Sequence, residues 1–419
     1  MDWSRRGFLG GSAALLANWT GIPAFGNSGT NPYFGLHPFI EANPKAVFIR
    51  KTKVAGRLDG PGMKAEGLAL GRQIFKPLND AGIPVSHKVV LKPNVLTRRE
   101  GGRQVNWGTD ADFYEGLIIA MRDVGLRKFH YAEANYRTSR WSVQYDDIHD
   151  RYGVEVCEPH RRARHYRDSF EMNWGRPDDG VVYAQVPHYP PINEPDTWLL
   201  NIAKWRSHGM CLTQASKNLQ GTTVWPFQRF CPGWDMVLGV PDCMKPFIGA
   251  NVEKRVLKYF ENHKRMGYSR YDSPHNLSPI RQEIWAHKTC DNLSVLKPGL
   301  SMIEAIYAKN EDPADPVKEF LPNMVMFAKD HFRLDIVGLW LGGHEPGNVN
   351  FYRTAKERGL SDTFNPWEVP VYEWTDEGPV RRNLTDFPRT LLKTYYLQKE
   401  GEPLYHMVDE PFDYDRYKL

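Results

Sequence analysis

The sequence predicts an α/β fold: a mostly parallel sheet with flanking helices and long polar insertions. Short, continuously apolar runs such as Val89-Val90-Leu91 are typical of strands that are covered on both faces. Residues 113–124 have apolar positions at a helical period, and strand-like runs precede and follow them. A strand, a helix and another strand in this order indicate a right-handed crossover between parallel strands.

Composition places the chain among folded globular proteins and excludes several classes of partner. Of the 419 residues, 41% are hydrophobic and 25% are charged, which excludes disordered, collagen-like and polytopic membrane proteins. The 54 basic and 50 acidic residues give a net charge of +4 without a long basic run, so we expect no nucleic-acid partner. The five cysteines include no C-x-x-C pair, which argues against a zinc ribbon and a ferredoxin-type iron–sulfur cluster.

Residues 1–26 have the layout of an export signal. Arg5-Arg6 stands just ahead of Phe8-Leu9, a weakly apolar stretch follows, and small residues near Gly26 fit a cleavage site. The pair resembles a bacterial twin-arginine signal, and a chance pair in an amphipathic N-terminus is the alternative. We therefore expect the twin-arginine translocase as a partner and a periplasmic or secreted mature chain, residues 27–419, with no membrane span. Because this pathway often carries folded proteins loaded with a cofactor, it suggests a cofactor of unknown identity.

The arginine pair gives a direct test of export. Replacing Arg5 and Arg6 with lysine keeps both charges but removes the pair that characterises the signal, so we expect the precursor to stay in the cytoplasm. Cell fractionation of the double variant beside the unchanged protein measures this. Normal accumulation of the variant outside the cytoplasm would contradict the signal.

Strand-like and helix-like runs alternate along the rest of the chain. Four apolar runs are predicted to be neighbouring strands: 46–49, 88–91, 128–132 and 198–202. Three periodic segments are predicted to be helices: 113–124, 251–266 and 332–341. Two stretches rich in polar residues and proline, 146–195 and 268–292, are predicted to be insertions, where α/β proteins often carry their sites. Residues 366–419 are assigned to a C-terminal extension.

Polar residues just after a predicted strand are the first site candidates. Lys92 and Asn94 follow the run 88–91, and doubly wound sheets bind ligands beyond the carboxyl ends of their strands. Lysine offers a point charge to a carboxylate or phosphate, and asparagine offers both a donor and an acceptor. A simple Pro-Asn turn is the alternative.

A second group of polar residues follows the run 198–202. Lys204, His208, Lys217 and Asn218 fall within fifteen residues, in a sequence too irregular to be the solvated face of one helix. Parallel neighbouring strands would bring both groups to one edge of the sheet. We therefore expect them to converge on one positively charged pocket.

These residues resemble a known family. Lys92-Pro93-Asn94, Glu133 after the next strand, Lys204 with His208, and Lys217-Asn218 with Gly221 are similar to the bacterial domain-of-unknown-function family 362. The resemblance extends over roughly residues 45–365 and places Asp335 at an aspartate position of the family. It implies an α/β domain of this type within residues 27–419. The turn 310–313 departs from the glycine-rich pattern of the family, and the cysteine module of many relatives is absent, so no iron–sulfur cluster is carried over.

The candidate residues suit the binding or conversion of an anion. A histidine beside a partly buried lysine can do acid–base chemistry, whereas lysines with asparagine can simply clamp a carboxylate, phosphate or nucleotide-like cofactor. Catalytic roles are assigned to Lys92, Asn94, Lys204, His208, Lys217 and Asn218, and cofactor contacts to Glu133 and His344. A helix C-cap explains the Gly-rich turn at His344 equally well.

Metal ligands are sparse in this pattern. His208 with Cys211, and His160 with His165, could each form a pair of ligands, but neither pair has third and fourth ligands at a recognisable spacing. We therefore predict no metal site. Neither a Gly-x-Ser-x-Gly elbow nor a Walker-type loop occurs in residues 27–419, which argues against a serine hydrolase and a P-loop enzyme.

Two functions stand side by side at this point. The first is an exported enzyme of redox or isomerase type that acts on a small anionic substrate or cofactor. The second is a non-catalytic periplasmic protein that binds a ligand or cofactor, or assists its maturation. Both readings lead us to expect that Lys204→Ala and Lys217→Ala fold nearly normally and lose the ligand.

Overall fold

A large mixed sheet organises the protein. The computed structural model describes residues 33–100, 103–133, 138–156, 172–208, 211–223, 246–266, 279–310, 319–394 and 411–417. The predicted export signal, residues 1–26, lies outside this description, as do His160 and His165.

The strands and helices have the following bounds. The strands are β1 (Tyr33–Leu36), β2 (Val47–Lys51), β3 (Phe75–Leu78), β4 (Ile83–Pro84), β5 (Lys88–Pro93), β6 (Thr97–Glu100), β7 (Arg103–Asn106), β8 (Lys128–Tyr131), β9 (Val154–Val156), β10 (Asn173–Gly175), β11 (Val186–His188), β12 (Thr197–His208), β13 (Cys211–Thr213), β14 (Leu300–Lys309), β15 (Glu319–Phe320), β16 (Met324–Ala328), β17 (Val371–Thr375) and β18 (Gly378–Arg382). The helices are α1 (Pro38–Ala42), α2 (Gly60–Ile74), α3 (Ala111–Asp123), α4 (Thr138–Tyr152), α5 (Ala215–Asn218), α6 (Val252–Arg265), α7 (Pro279–Ser294), α8 (His331–Leu341) and α9 (Asn350–Glu357).

The main sheet has the order β18-β17-β2-β16-β14-β12-β5-β8-β9, and the short strands β13 and β15 pair with β12 and β14. The five strands from β14 to β9 are parallel to one another. Strands β2 and β17 run in the same direction as these five strands, whereas β16 and β18 run in the opposite direction. The predicted α/β class with a mostly parallel sheet is therefore confirmed.

Three of the four predicted strands are neighbours, because β5 lies between β12 and β8. The fourth, β2, was predicted to join them, and this is wrong: β14 and β16 separate it from β12. All ten residues of β14 and all five of β16 are buried, so these two strands fill the middle of the sheet. An apolar run identifies a buried strand but says nothing about its place in the order.

The three predicted helices are confirmed as α3, α6 and α8. Two of them begin at a capping aspartate. The side chain of Asp110 accepts from the amides of Asp112 and Phe113, and that of Asp330 accepts from the first amides of α8. Among the described residues, no helix is long and apolar enough to cross a membrane.

The predicted insertions are partly regular structure. Helix α4 includes the start of the first insertion, and α7 includes the end of the second. In α7 the polar residues Glu283, His287 and Asp291 are fully buried and have polar partners. The polar composition of this helix therefore reflects a buried hydrogen-bond network and not a surface loop. Residues 371–382, assigned to a C-terminal extension, form β17 and β18 of the main sheet.

The two faces of the main sheet pack against different helices. Face A carries Val90 and Ala203 and belongs to the core formed with α7, α8 and α9. Face B carries Leu91 and Ile202 and belongs to the core formed with α2 and α3. Because successive residues of a strand alternate between faces, the position of a side chain in the strand decides which helices it meets.

Candidate functional site

A buried ion pair lies where β5 and β8 end. Nζ of Lys92 is 2.5 Å from Oε2 of Glu133, and both side chains are buried. The ammonium also donates to the carbonyl oxygen of Pro93 at 2.8 Å. Burial lowers the pKa of Lys92, and the attraction of Glu133 opposes this shift. The predicted cofactor contact Glu133 thus lies against the predicted catalytic Lys92.

The side-chain amide of Asn218 joins this pair to neighbouring strands. Its Oδ1 accepts from Nζ of Lys92 and from Nδ2 of Asn94, both at 3.1 Å. Its Nδ2 donates to the carbonyl oxygen of Lys92 at 3.1 Å and to Oδ1 of Asn201 at 2.9 Å. Both donors and both acceptor positions of the amide are therefore used, which fixes its orientation. The structure thus brings together Lys92, Asn94, Glu133 and Asn218.

The turn after α5 lies directly on the ion pair. A Cβ atom on Gly221 would be 2.7 Å from Cε of Lys92 and 2.8 Å from Oε1 of Glu133. Contacts this short do not occur for real side chains, so only glycine lets the backbone come this close. The glycine at position 221, three residues after Asn218, therefore has a steric explanation.

Lys204 lies on the opposite face of the sheet from Lys92. Lys92 is two residues beyond Val90 and shares face A, whereas Lys204 is two residues beyond Ile202 and shares face B. Nζ of Lys204 donates to both carboxylate oxygens of Glu304, at 2.8 and 2.7 Å. The expected convergence of all the lysines on one pocket is therefore wrong for Lys204.

The surroundings of Lys204 are fully buried. Its ammonium lies over the ring of Tyr307, and neither Lys204 nor Glu304 is exposed to solvent. Burial, and then the charge of Glu304, raise the pKa of nearby Asp110 to about 6. Lys204, Glu304 and Asp110 thus form a group of charges on face B, and the ion pair within it is closed to solvent. The pairing of Lys204 with Glu304 is typical of a structural ion pair.

Asn94 connects the Lys92 cluster to the end of β12. Its Oδ1 lies 3.4 Å from Nε of Arg206, while its Nδ2 donates to Asn218. Its backbone amide donates to the hydroxyl of Thr109 at 2.9 Å, and that hydroxyl donates to the carbonyl oxygen of Ile202 at 2.7 Å. Asn94 is therefore more than a turn residue, since it ties β5 to β12 at their carboxyl ends.

Four basic residues form what we call the cation cluster: Arg206, His208, Lys217 and Lys288. Burial, and then the charges of Lys217, Arg206 and Lys288, hold the pKa of His208 well below its ordinary value. The His208 ring lies 5.2 Å from the ring of Trp285. Arg206 and Lys288 are buried, and His208 and Lys217 are half-buried. The imidazole is therefore neutral at pH 7 and lies in a positive potential.

His344 has a backbone contact that explains its burial. Its Nε2 is 2.6 Å from the carbonyl oxygen of Leu392. The amides of Thr390 and Leu392 donate to the carbonyl oxygens of Leu341 and Gly342, so this part of the chain is bound to the end of α8.

Within the described part of the chain, no three His, Cys, Asp or Glu side chains are placed to hold a metal ion.

The structure adds residues that the sequence did not nominate. Asn201 and Glu304 each interrupt an apolar strand, and a polar residue in such a run signals a buried partner. Arg206 and Lys288 lay in segments rich in polar residues, where nothing marked them out. In the sequence, Asp335 stands out only through the resemblance to family 362, and no local signal indicates its contact with α5.

The carboxyl ends of β5, β8 and β12 thus hold a buried ion pair and the cation cluster, connected by asparagine side chains. Open parallel sheets commonly bind ligands at this position. Comparison with known proteins identifies no relative: the chain matches no family model, no curated protein and no solved structure.

Proposed function

We propose that the protein is an exported enzyme of redox or isomerase type that acts on a small anionic substrate or cofactor. The ligand would bind at the cation cluster, beyond the carboxyl ends of β5 and β12. The resemblance to family 362 is part of this proposal and rests on the Lys-Pro-Asn and Lys-Asn-x-x-Gly residues.

The cation cluster is the observation that carries the proposal. Arg206, Lys217 and Lys288 lie close enough to His208 to lower its pKa, beyond the larger effect of burial. Holding like charges together in a partly buried place costs free energy, and a bound anion would offset this cost. A carboxylate or phosphate group is thus the chemistry that the cluster favours.

His208 is the candidate base within the cluster. In the ligand-free protein, burial and the neighbouring cations keep its imidazole neutral. A bound anion would weaken the positive potential and raise the pKa of His208 toward the working pH. The imidazole could then accept a proton from the bound substrate, which is the first step of many isomerisations. Lys217 and Arg206 would orient the anionic group.

Lys92 and Glu133 support this arrangement and are not placed to react. Both charges are used in their own ion pair, and Lys92 also holds Oδ1 of Asn218. Asn218 is adjacent in sequence to Lys217, so the pair fixes the helical turn that carries a member of the cation cluster. Their assignment changes from catalytic residue and cofactor contact to positioning.

A binding protein without catalysis is the second candidate. The observation that favours it is that Lys92 and Lys204, two of the four cations first assigned to catalysis, are neutralised by buried carboxylates. Fewer groups then remain for chemistry, while the cation cluster would still clamp an anion. Turnover of a bound anion, as opposed to its simple retention, separates the two candidates.

Lys217→Ala tests the anion site. Lys217 is half-buried, so we expect its removal to change the free energy of unfolding by less than about 1 kcal/mol. The affinity for inorganic phosphate should fall roughly tenfold or more, as is usual when one charged hydrogen-bonding group is lost. Isothermal titration calorimetry measures the affinity, and urea unfolding measures the stability.

Lys254→Ala is the matched control for this test. Lys254 is an exposed residue of α6, so its substitution makes the same change in net charge away from the cation cluster. We expect this variant to bind phosphate as the unchanged protein does. Equal weakening by both substitutions would indicate a general charge effect and would contradict the proposed site.

A further inference from the structure

Helix α5 depends on a cap that comes from another helix. It is one turn long, and the side chain of Gln214 before it makes no capping hydrogen bond. Instead, Oδ1 of Asp335 accepts from the amide of Ala215 at 2.7 Å, and Oδ2 accepts from the amide of Ser216 at 2.9 Å. Asp335 belongs to α8 and is buried. Because a single turn has almost no hydrogen bonds of its own, its position depends on contacts from outside, and this cap is one of them.

The turn that Asp335 holds carries two residues of the site. Lys217 is a member of the cation cluster, and Asn218 contacts Lys92 and Asn94. The carbonyl oxygen of Ala215 also accepts from Nδ2 of Asn201 at 3.0 Å. A displacement of α5 would therefore move Lys217 relative to His208 and loosen the amide contacts of Asn218 at the same time.

We infer that Asp335 is a positioning residue of the anion site, which holds Lys217 and Asn218 in place through the amides of Ala215 and Ser216. The inference rests on the proposed function and deepens it, because it adds regulation of the same site by pH. Asp335 is not placed to touch the anion in this role. It acts through the backbone of α5.

Only the ionised form of Asp335 can accept from both amides. A protonated carboxyl group turns one oxygen into a donor, which would face an N–H group. Burial raises the pKa of Asp335 to about 7, although the hydrogen bonds from Ser216 and Ala215 oppose this. Asp330 on the same helix raises it further, and Tyr352 on α9 also faces the carboxylate. The turn should therefore be held firmly above about pH 7 and loosened below it.

Asp335→Asn imitates the protonated form at every pH, because an amide has one acceptor oxygen and one donor nitrogen. The experiment compares sulfate affinity of the unchanged protein and the variant by calorimetry, since the charge of sulfate is constant over the range used. Well above pH 7 we expect the variant to bind roughly tenfold or more weakly. Well below pH 7 the two affinities should become equal. A ratio that stays constant with pH would indicate a merely structural cap and would overturn the inference.

Asp59→Asn is the matched control. Asp59 caps α2, where its side chain accepts from the amide of Gly62 at 3.0 Å, and α2 packs on face B. The same Asp-to-Asn change at this helix should leave sulfate affinity unchanged at every pH. A pH-dependent loss of affinity in this variant as well would overturn a specific role for Asp335.

Hydrogen exchange tests the inference without any ligand. In the unchanged protein, the protection of the Ala215 and Ser216 amides should fall as the pH falls through about 7. In Asp335→Asn it should be low throughout. If sulfate binds to neither protein, the proposed function fails, while these protection factors still decide the role of Asp335. Protection that is independent of pH in the unchanged protein would overturn it, even if the variant does not fold.

Discussion

Replacing Lys204 with alanine is expected to lower the free energy of unfolding by about 3–5 kcal/mol. The change would leave the carboxylate of Glu304 buried without the ammonium that contacts both of its oxygens. Neither residue is exposed, so water cannot take the place of the lost partner. The sequence alone suggested that this variant would fold nearly normally, and its burial on face B reverses that expectation.

Urea unfolding of a small set of variants measures this effect. Lys204→Ala should be strongly destabilised, whereas the double variant Lys204→Met with Glu304→Leu should recover most of the loss, because no charge is then left unpaired. Lys217→Ala makes the same charge change at a half-buried side chain and serves as the control. A Lys204→Ala protein within about 1 kcal/mol of the unchanged protein would contradict the prediction, and would show that the amides of Ile306 and Asp110, which also donate to Glu304, are enough to hold its carboxylate.

Stability is also expected to fall by about 3 kcal/mol as the pH rises through 9, because of His263. Its Nδ1 lies 3.1 Å from Glu283, and its Nε2 lies 2.8 Å from Glu357. Burial alone would lower the pKa of His263, but the hydrogen bonds with Glu283 and Glu357 outweigh it and raise the pKa to about 9. The folded state therefore binds this proton more tightly than the unfolded state. The stabilisation is complete below the ordinary histidine pKa of 6.5 and is lost as the pH passes 9.

Unfolding measurements between about pH 6 and pH 10 test this dependence. The variant His263→Gln keeps a hydrogen-bonding side chain but cannot take up the proton, so its stability should be lower at pH 6 and should change less over the same range. The difference between the two curves isolates His263 from other groups that titrate at high pH. Parallel curves for the two proteins would show that His263 is not held as an imidazolium.

The sequence predicts the class of fold because buried strands and amphipathic helices have local signatures. The runs that became β5 and β12 are largely apolar, and parallel strands covered by helices on both faces require this pattern, whereas β8 alternates polar and apolar residues. The order of strands depends on contacts between distant segments. Nothing local in the run 46–49 shows that β16 and β14 lie between it and β12.

The site shows the same division between local and distant information. Lys92, Asn94 and Asn218 could be grouped because they follow strands that turned out to be neighbours. The face of Lys204 depends on register, which pairs Lys92 with Asn201 in the adjacent strand. Lys204, three positions further along, must face the other way, whereas a register shifted by one residue would reverse this. Sequence patterns do not specify register at that precision.

The burial of Lys204 in a closed ion pair, in contrast to the half-buried Lys217, affects how a genetic screen of this protein should be interpreted. Substitutions at positions 204 and 304 would score as inactive because little folded protein accumulates, whereas substitutions at position 217 would score as inactive at normal abundance. A screen that records only activity would merge these two classes and would wrongly add Lys204 and Glu304 to the apparent site. Recording abundance beside activity, residue by residue, would separate the cation cluster from the ion pair of Lys204 and Glu304.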